Sequence, residues 1–233
     1  MKKISICIPT YEMGGYGYIF LDELLTELKM QSFQDFDVII SDQSVDNNIL
    51  DICQKHSEKL DITYIKYFYN KGKAACNINN AMKYATGKII KILYQDDFFV
   101  DIDALTKIYS EFENGAKWVV HGFTHSSDKR TFFNTRIPFY SDQVLIGENT
   151  IGNPSNFSIL AEEKFYMDED LMYVVDCEFY YRVKQKLGLP VVVEEILVCA
   201  RHHPVSAVDN PSFYNLKDPE VKYCLAKHNI NYK

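Results

Sequence analysis

Ile4-Ser5-Ile6-Cys7-Ile8-Pro9-Thr10-Tyr11-Glu12 is a short apolar run, stopped by proline and followed at once by polar residues. Such a run reads as a buried strand whose far end meets solvent. The pattern repeats further along the chain. Phe20, Leu21, Leu24, Leu25 and Leu28 recur at helical spacing, and Phe36 to Ile40 is a second apolar run, closed by Ser41-Asp42. Ile49, Ile52, Cys53 and His56 return to helical spacing, and Ile62 to Phe68 is rich in β-branched and aromatic residues, a third strand. Ala74, Ala75, Ile78, Ala81, Met82 and Ala85 predict a third helix, with Gly87 in the position that ends helices. Ile89 to Tyr94 is the fourth strand, and Asp101 is placed to cap a helix through Glu113. The β-α-β-α-β-α-β-α order predicts a parallel sheet with helices packed on both faces and right-handed crossovers. Near-continuous apolar strands agree with burial on both sides.

The second half reads differently. Trp118 to Phe123 is a strand, Thr131 to Ile159 is irregular, and Val174 to Leu187 is a helix ended by Gly188. Val191 to Ala200 is a further strand, and Asp218 and Pro219 open a short amphipathic helix carrying Val221, Cys224, Leu225 and His228. No Pro/Ser-rich linker or repeat divides the chain, so the expectation is one domain over 1–233. Its parts are 1–97, 98–210 and a helical tail at 211–233. The 233 residues carry a net charge of −7, with 17 Tyr and 15 Phe. An acidic chain is a poor nucleic-acid binder, and one so rich in aromatics is not disordered. The aromatics are expected mainly in the core. Six scattered cysteines without a C-x-x-C pair are expected buried and reduced. No stretch is long and apolar enough to span a bilayer, and the N-terminal run is too short for an export signal. The expectation is a cytoplasmic protein.

In such a sheet, ligands bind at the carboxyl ends of the strands. Those ends are Pro9-Thr10-Tyr11-Glu12, Ser41-Asp42-Gln43-Ser44-Val45-Asp46, Asn70-Lys71-Gly72-Lys73 and Gln95-Asp96-Asp97. One polar end is an ordinary turn; four on one edge point to a ligand site. The first strand lacks G-x-G-x-x-G, which argues against a dinucleotide. Gly72-Lys73 imitates a P-loop, but Tyr67 and Ala74 stand where that motif needs Gly and Ser/Thr. Carboxylates at strand ends suit a hard divalent cation bridging to a diphosphate, with Lys71 and Lys73 near the phosphates.

These segments, in this order, resemble the family-2 glycosyltransferases of the GT-A fold. Ser5 to Tyr11 is similar to the family's opening strand, Ser41 to Asp46 to its "DDGSxD" loop, and Asn70-Lys71-Gly72 with Ala75 and Asn77 to "NxGxxxARN". Leu93 to Asp97 resembles the strand end with the DxD motif, and Ile151 to Ser155 the start of an acceptor-side strand. Val175-Asp176, before Glu178 and Arg182, resembles "ED", and Arg201-His202-His203 with Ser206 resembles "YRxH…S". Three positions depart from the pattern: Tyr94 replaces the first DxD acid, Val175 the glutamate of "ED", and Ala200 the tyrosine before Arg201.

The resemblance implies an α/β, GT-A type Rossmann-like, mostly parallel sheet flanked by helices, with an acceptor-side subregion and a C-terminal helix. It implies inverting transfer of a sugar from a nucleoside diphosphate, UDP-type first, to a glycan or lipid-linked hydroxyl, the latter met at the inner face of the membrane. Asp176 would be the catalytic base. Pro9, Thr10, Tyr11, Glu12, Asp42, Ser44, Asn70, Lys71, Gly72, Lys73, Asn77, Gln95 and Asp96 would bind the nucleotide. Asp96 and His203 would hold Mn²⁺ or Mg²⁺, and Pro154, Ser155 and Glu178 would face the acceptor. Two alternatives stay open: a non-catalytic nucleotide-sugar-binding protein of this fold, and a nucleotidyltransferase. Asp168, Glu169 and Asp170 read as a solvated turn, and His121 and His125 alternate on one strand without an assigned role.

Overall fold

The structure, a computed structural model, describes residues 2–206 and 211–231. The alternation expected from the sequence is present: β1 (Ile4–Thr10), α1 (Gly17–Leu28), β2 (Phe36–Asp42), α2 (Asn48–His56), β3 (Ile62–Lys66), α3 (Ala74–Lys83), β4 (Ile89–Ile92). Then come β5 (Phe98–Phe99), α4 (Ala104–Glu113), β6 (Trp118–Ser126), β7 (Phe133–Arg136), β8 (Phe157–Leu160), α5 (Val175–Leu187), β9 (Val191–Arg201), α6 (Pro211–Tyr214) and α7 (Lys217–Lys227).

Among the described residues the nine strands join one sheet in the order β3-β2-β1-β4-β8-β6-β9-β5, with β7 added along β6. β1 to β4 are mutually parallel, β8 runs antiparallel between β4 and β6, and β9 is parallel to β6. The chain works outward from β1 to β3 and returns at β4, so the strand order reverses between β1 and β4. That reversal opens a crevice at the carboxyl edge.

Two apolar layers sandwich the sheet. One face carries Leu21, Leu24, Leu25 and Leu28 of α1, Ile49 and Cys53 of α2, and Leu105 and Ile108 of α4. The other carries Ala75, Ile78 and Met82 of α3, Cys177, Phe179, Tyr180 and Val183 of α5, and Cys224 of α7. Each fully buried leucine of α1 contributes roughly 1.5–3 kcal/mol, which is why its helical spacing was legible. All six cysteines are buried and unpaired. No helix among the described residues is long and apolar enough to cross a membrane.

Several local expectations are corrected. Asp101 does not cap α4; Asp103 holds that place, and the Asp101 carboxylate accepts the Asp103 N–H at 2.8 Å. α7 starts one residue before Asp218, with Leu216 as its cap. The stretch expected to be irregular contains β7, 3₁₀ turns at Asp142–Ile146 and Pro154–Asn156, and β8. The aromatics are mostly core, as Phe36, Trp118, Phe157 and Tyr180 are, but Tyr16, Phe68, Tyr69, Tyr84, Phe132, Phe139 and Tyr214 are exposed. Gly87 does not end α3, which stops at Lys83. A Cβ there would lie 2.7 Å from the Ser5 nitrogen and 2.8 Å from the Ile4 carbonyl carbon, so only glycine lets this turn lie against β1. Gly87→Ala is expected to destabilise the fold by about 1–3 kcal/mol through overpacking, read as a lower urea midpoint; an unchanged midpoint would show that the turn yields freely.

Candidate active site

The end of β1 and the segment after β4 are stitched by one side chain. The Tyr11 N–H donates to Gln95 Oε1 at 2.6 Å, and Gln95 Nε2 donates back to the Tyr11 carbonyl at 3.1 Å. α1 begins directly against this stitch. A Cβ on Gly17 would fall 2.1 Å from the Tyr11 oxygen and 2.7 Å from Gln95 Nε2, so a side chain cannot be placed there without opening it.

Around the stitch lies a cavity of about 460 Å³. Pro9, Tyr11, Gly72, Asn77, Gln95 and Asp96 line it, as do Tyr94, Asp97, His125, Asn153, Leu171, Met172, Val175, Arg201, His202 and Ser206. Asn77 donates from Nδ2 to the Thr10 carbonyl at 3.0 Å, while its buried Oδ1 has no partner among the described residues. A satisfied donor fixes the amide and leaves its acceptor for a ligand, since buried polar atoms otherwise find partners.

The acidic end of the cavity is tied across the sheet. Asp97 accepts from Asn153 Nδ2 at 2.9 Å and from the Arg201 N–H at 3.1 Å; burial and the adjacent Asp96 carboxylate push it well above the usual carboxylate range. Arg201 donates to the Asp96 carbonyl at 2.8 Å and to Glu23 at 2.7 Å, and its guanidinium lies over the rings of Phe20 and Phe98. His203 Nε2 lies 2.9 Å from Asp96 Oδ2, and its buried Nδ1 has no partner among the described residues. Among the described residues no group of three or more His, Cys, Asp or Glu side chains is arranged around a common point. The Asp96 carboxylate fits a small hard cation whose remaining positions go to phosphate oxygens and water, with His203 Nε2 as a nitrogen ligand in the tautomer that carries its proton on Nδ1.

Other expected residues are placed outside the cavity lining. Asp42 is fully buried and saturated: Thr10 Oγ1, Ser44 N–H and Oγ, Tyr64 Oη and Lys66 Nζ all donate to it. Thr10, Asp42 and Ser44 therefore brace the edge of β2, while Gln43 faces the cavity. Lys71 pairs with Glu12 at the rim, and Lys73 donates to the Glu169 carbonyl at 3.0 Å. Asn70 takes φ 51°, turning the loop before Gly72. Pro154 and Ser155 lie behind the wall; Ser155 Oγ accepts the Tyr94 N–H at 2.9 Å. Glu178 is corrected from acceptor side to framework: it is fully buried and held by Arg182 at 2.8 Å, Lys227 at 2.8 Å and His228 at 3.0 Å.

Asp176 sits in the first turn of α5, beside the cavity-lining Val175. Its Oδ1 accepts the Cys177 N–H at 2.8 Å and its Oδ2 accepts from Asn149 Nδ2 at 2.7 Å. Burial pushes its carboxyl up to about 6, with these donors working against the rise. Tyr94, which lines the cavity, is held protonated by burial and by the nearby carboxylates of Asp176, Asp97 and Asp96.

Two features escaped sequence reasoning. Lys91 is fully buried and pushed down to about 7 by burial. It donates to the Ser155 carbonyl and to His121 Nε2 at 3.2 Å, while His121 Nδ1 donates to the Gly122 carbonyl at 3.0 Å. A lysine inside Ile89-Ile90-Lys91-Ile92-Leu93 was the available signal. Asp168 is also no solvated turn; it accepts from Lys227 at 2.6 Å and Tyr223 at 3.1 Å. A second, open trough of about 580 Å³ lies beside these residues, but its Asp168, Arg182 and Lys227 are already paired.

A cavity at the reversal point of a mostly parallel sheet, with an acidic far wall, is the ligand-binding place of an open α/β fold. The chain belongs to glycosyl transferase family 2, whose sequence profile matches residues 5–184. It is 25% identical over 214 residues to the poly(ribitol-phosphate) β-N-acetylglucosaminyltransferase TarS of Staphylococcus aureus, covering 81% of this chain and 36% of that protein. It is 28% identical over 100 residues to a GalNAc(5)-diNAcBac-PP-undecaprenol β-1,3-glucosyltransferase of Campylobacter jejuni, covering 42% of this chain and 30% of that one. The chain thus spans about a third of the length of these relatives. In structure it is similar to TarS 1–349 in complex with UDP-GlcNAc, with TM-score 0.74, 17% identity, and coverage of 99% of this chain and 68% of that one. It is also similar to the mannosyltransferase PcManGT of Pyrobaculum calidifontis in complex with GDP-Man and Mn²⁺, with TM-score 0.67, 15% identity, and coverage of 100% and 65%. These likenesses establish the GT-A fold.

Because Asp42 is the buried acceptor for the Tyr64 hydroxyl and the Ser44 N–H, while Lys66 keeps the Asp46 carbonyl at 2.8 Å, Asp42→Ala should cost about 1–3 kcal/mol by leaving those donors unmet. Chemical denaturation reads this directly, and a loss under about 1 kcal/mol would show that the cluster carries little of the stability.

Proposed function

We propose that this protein transfers a sugar from a nucleoside-diphosphate sugar to an acceptor hydroxyl, with inversion at the anomeric carbon, in surface-glycan or polysaccharide synthesis. The observation that carries the reading is the cavity at the β1/β4 reversal, where the free acceptor of Asn77, the Tyr11–Gln95 stitch and Asp96, backed by His203 outside the lining, come together. Pro9, Tyr11, Gly72, Asn77, Gln95 and Asp96 contact the donor. UDP is the first candidate because TarS, of the same family, is known with UDP-GlcNAc. The acceptor is a glycan or a lipid-linked glycan, the latter met at a membrane surface.

The acceptor oxygen attacks the anomeric carbon from the face opposite the diphosphate. The bond between that carbon and the diphosphate oxygen breaks, and the bonding pair leaves with the diphosphate. Asp176 takes the hydroxyl proton as general base, its raised pKa making it a stronger base than an ordinary carboxylate. Asp96 and His203 are the residues that would hold a divalent cation, which when bound supplies Lewis-acid stabilisation of the leaving diphosphate. Arg201 fixes the Asp96 backbone, and Asn153 fixes Asp97.

Three outcomes are expected. UDP should raise the melting temperature by mass action, with a smaller shift after chelation and in Asp96→Ala. No shift with UDP, GDP, CDP or dTDP would remove the nucleotide site; a shift without turnover of any donor would favour the non-catalytic reading. Asp176→Asn should bind UDP normally and lose at least about 1000-fold in turnover, within the range general bases supply; retained turnover refutes the base. Protonation below about pH 6 disables a base with that pKa, so kcat should fall about tenfold per pH unit on the acid side. A flat profile down to about pH 4.5 would contradict the assignment.

A further inference from the structure

The start of α5 is held from outside the helix. Val174, its cap residue, offers no capping side chain. Immediately before the helix, three consecutive backbone N–H groups converge on one carboxylate of α7. Glu220 Oε1 accepts from Met172 at 3.0 Å, and Oε2 accepts from Tyr173 at 2.8 Å and Val174 at 3.0 Å. Hydrogen bonds to an ionised acceptor are the stronger kind, and three from one stretch of backbone leave that segment a single conformation. Further contacts clamp the same region to the same helix: Lys227 and Tyr223 to Asp168, and Lys227 and His228 to Glu178.

The clamped segment supplies the cavity with Leu171, Met172 and Val175, and it delivers Asp176. We propose that Glu220 is a positioning residue for the transfer reaction: by collecting the Met172, Tyr173 and Val174 N–H groups, it sets where the acceptor-side wall and Asp176 stand relative to the donor. This rests on the reading of Asp176 as base. α7 is then a working part of the site, although none of its residues lines the cavity.

The test compares the full chain with Glu220→Gln, and with Lys222→Gln as a control on the exposed side of the same helix. Glutamine keeps one acceptor oxygen and turns an NH₂ group toward backbone donors, so it cannot hold three N–H groups. Glu220→Gln should lower kcat about 10- to 100-fold, the scale of a roughly 1 Å misplacement, while UDP affinity and KM for the donor change less than about twofold on the same argument. Hydrogen exchange should quicken at Met172, Tyr173 and Val174 and stay unchanged in β1 and β4. Lys222→Gln should match the wild type in each. Equal losses in UDP affinity and kcat, or an unchanged kcat, overturn the positioning role. Unchanged exchange at the three amides overturns the clamp itself. If Asp176→Asn retains turnover while Glu220→Gln loses it, the base assignment falls, and Glu220 positions only the cavity wall of Leu171, Met172 and Val175. A wild-type chain that turns over no donor overturns the activity reading, and the exchange data still judge the clamp.

Discussion

The Gln95 carboxamide closes a two-point hydrogen bond on the Tyr11 backbone, and much of the site depends on it. Where β1 and β4 diverge, their carboxyl ends expose backbone groups that the sheet no longer pairs. An unpaired buried backbone group costs about as much as a lost hydrogen bond. Gln95 satisfies both Tyr11 groups, and so fixes the distance between the β1 loop and the acidic wall. Gly17 is the accompanying constraint, because α1 must start in contact with this pair.

From that point the site is built outward by ties between distant segments. Asp97 joins the end of β4 to the end of β9 and to the Asn153 turn. Arg201 returns from β9 to the Asp96 backbone and to α1 through Glu23. Below them, Lys91 donates to the Ser155 carbonyl from the sheet's interior. A buried amine is costly unless its donors are met, and desolvation is the reason its pKa is so depressed. The same polar layer that supports the wall is therefore a stretch the chain cannot exchange freely for apolar residues.

The departures from the family pattern acquire physical meaning in this setting. Tyr94, in place of an acid, puts a neutral phenol among three carboxylates, which avoids adding a fourth like charge to a buried cluster. Val175 presents an apolar surface to the cavity and leaves Asp176 turned to Asn149 and the Cys177 N–H. Burial dominates Asp176 and raises its proton affinity without an acidic neighbour at position 175.

The alternation of strands and helices, the two-faced burial of the sheet, and the collection of polar residues at four strand ends were all legible in the sequence. They follow from apolar periodicity, which is local and is read residue by residue. Which of those polar residues face the cavity is settled by packing in three dimensions. Asp42 and Gln43 are neighbours, yet Asp42, the last residue of β2, enters a saturated cluster, while Gln43, just past the strand, reaches the ligand side. Glu178 looked like a site residue and Asp168 like a solvated turn, because neither reveals that α7, much later in the chain, brings Lys227 and His228 to meet them. Glu220 carries no local signal at all; its three hydrogen bonds exist only once α7 lies against the start of α5. Hydrogen bonds and ion pairs between distant segments depend on relative placement in space, and periodicity does not encode that placement.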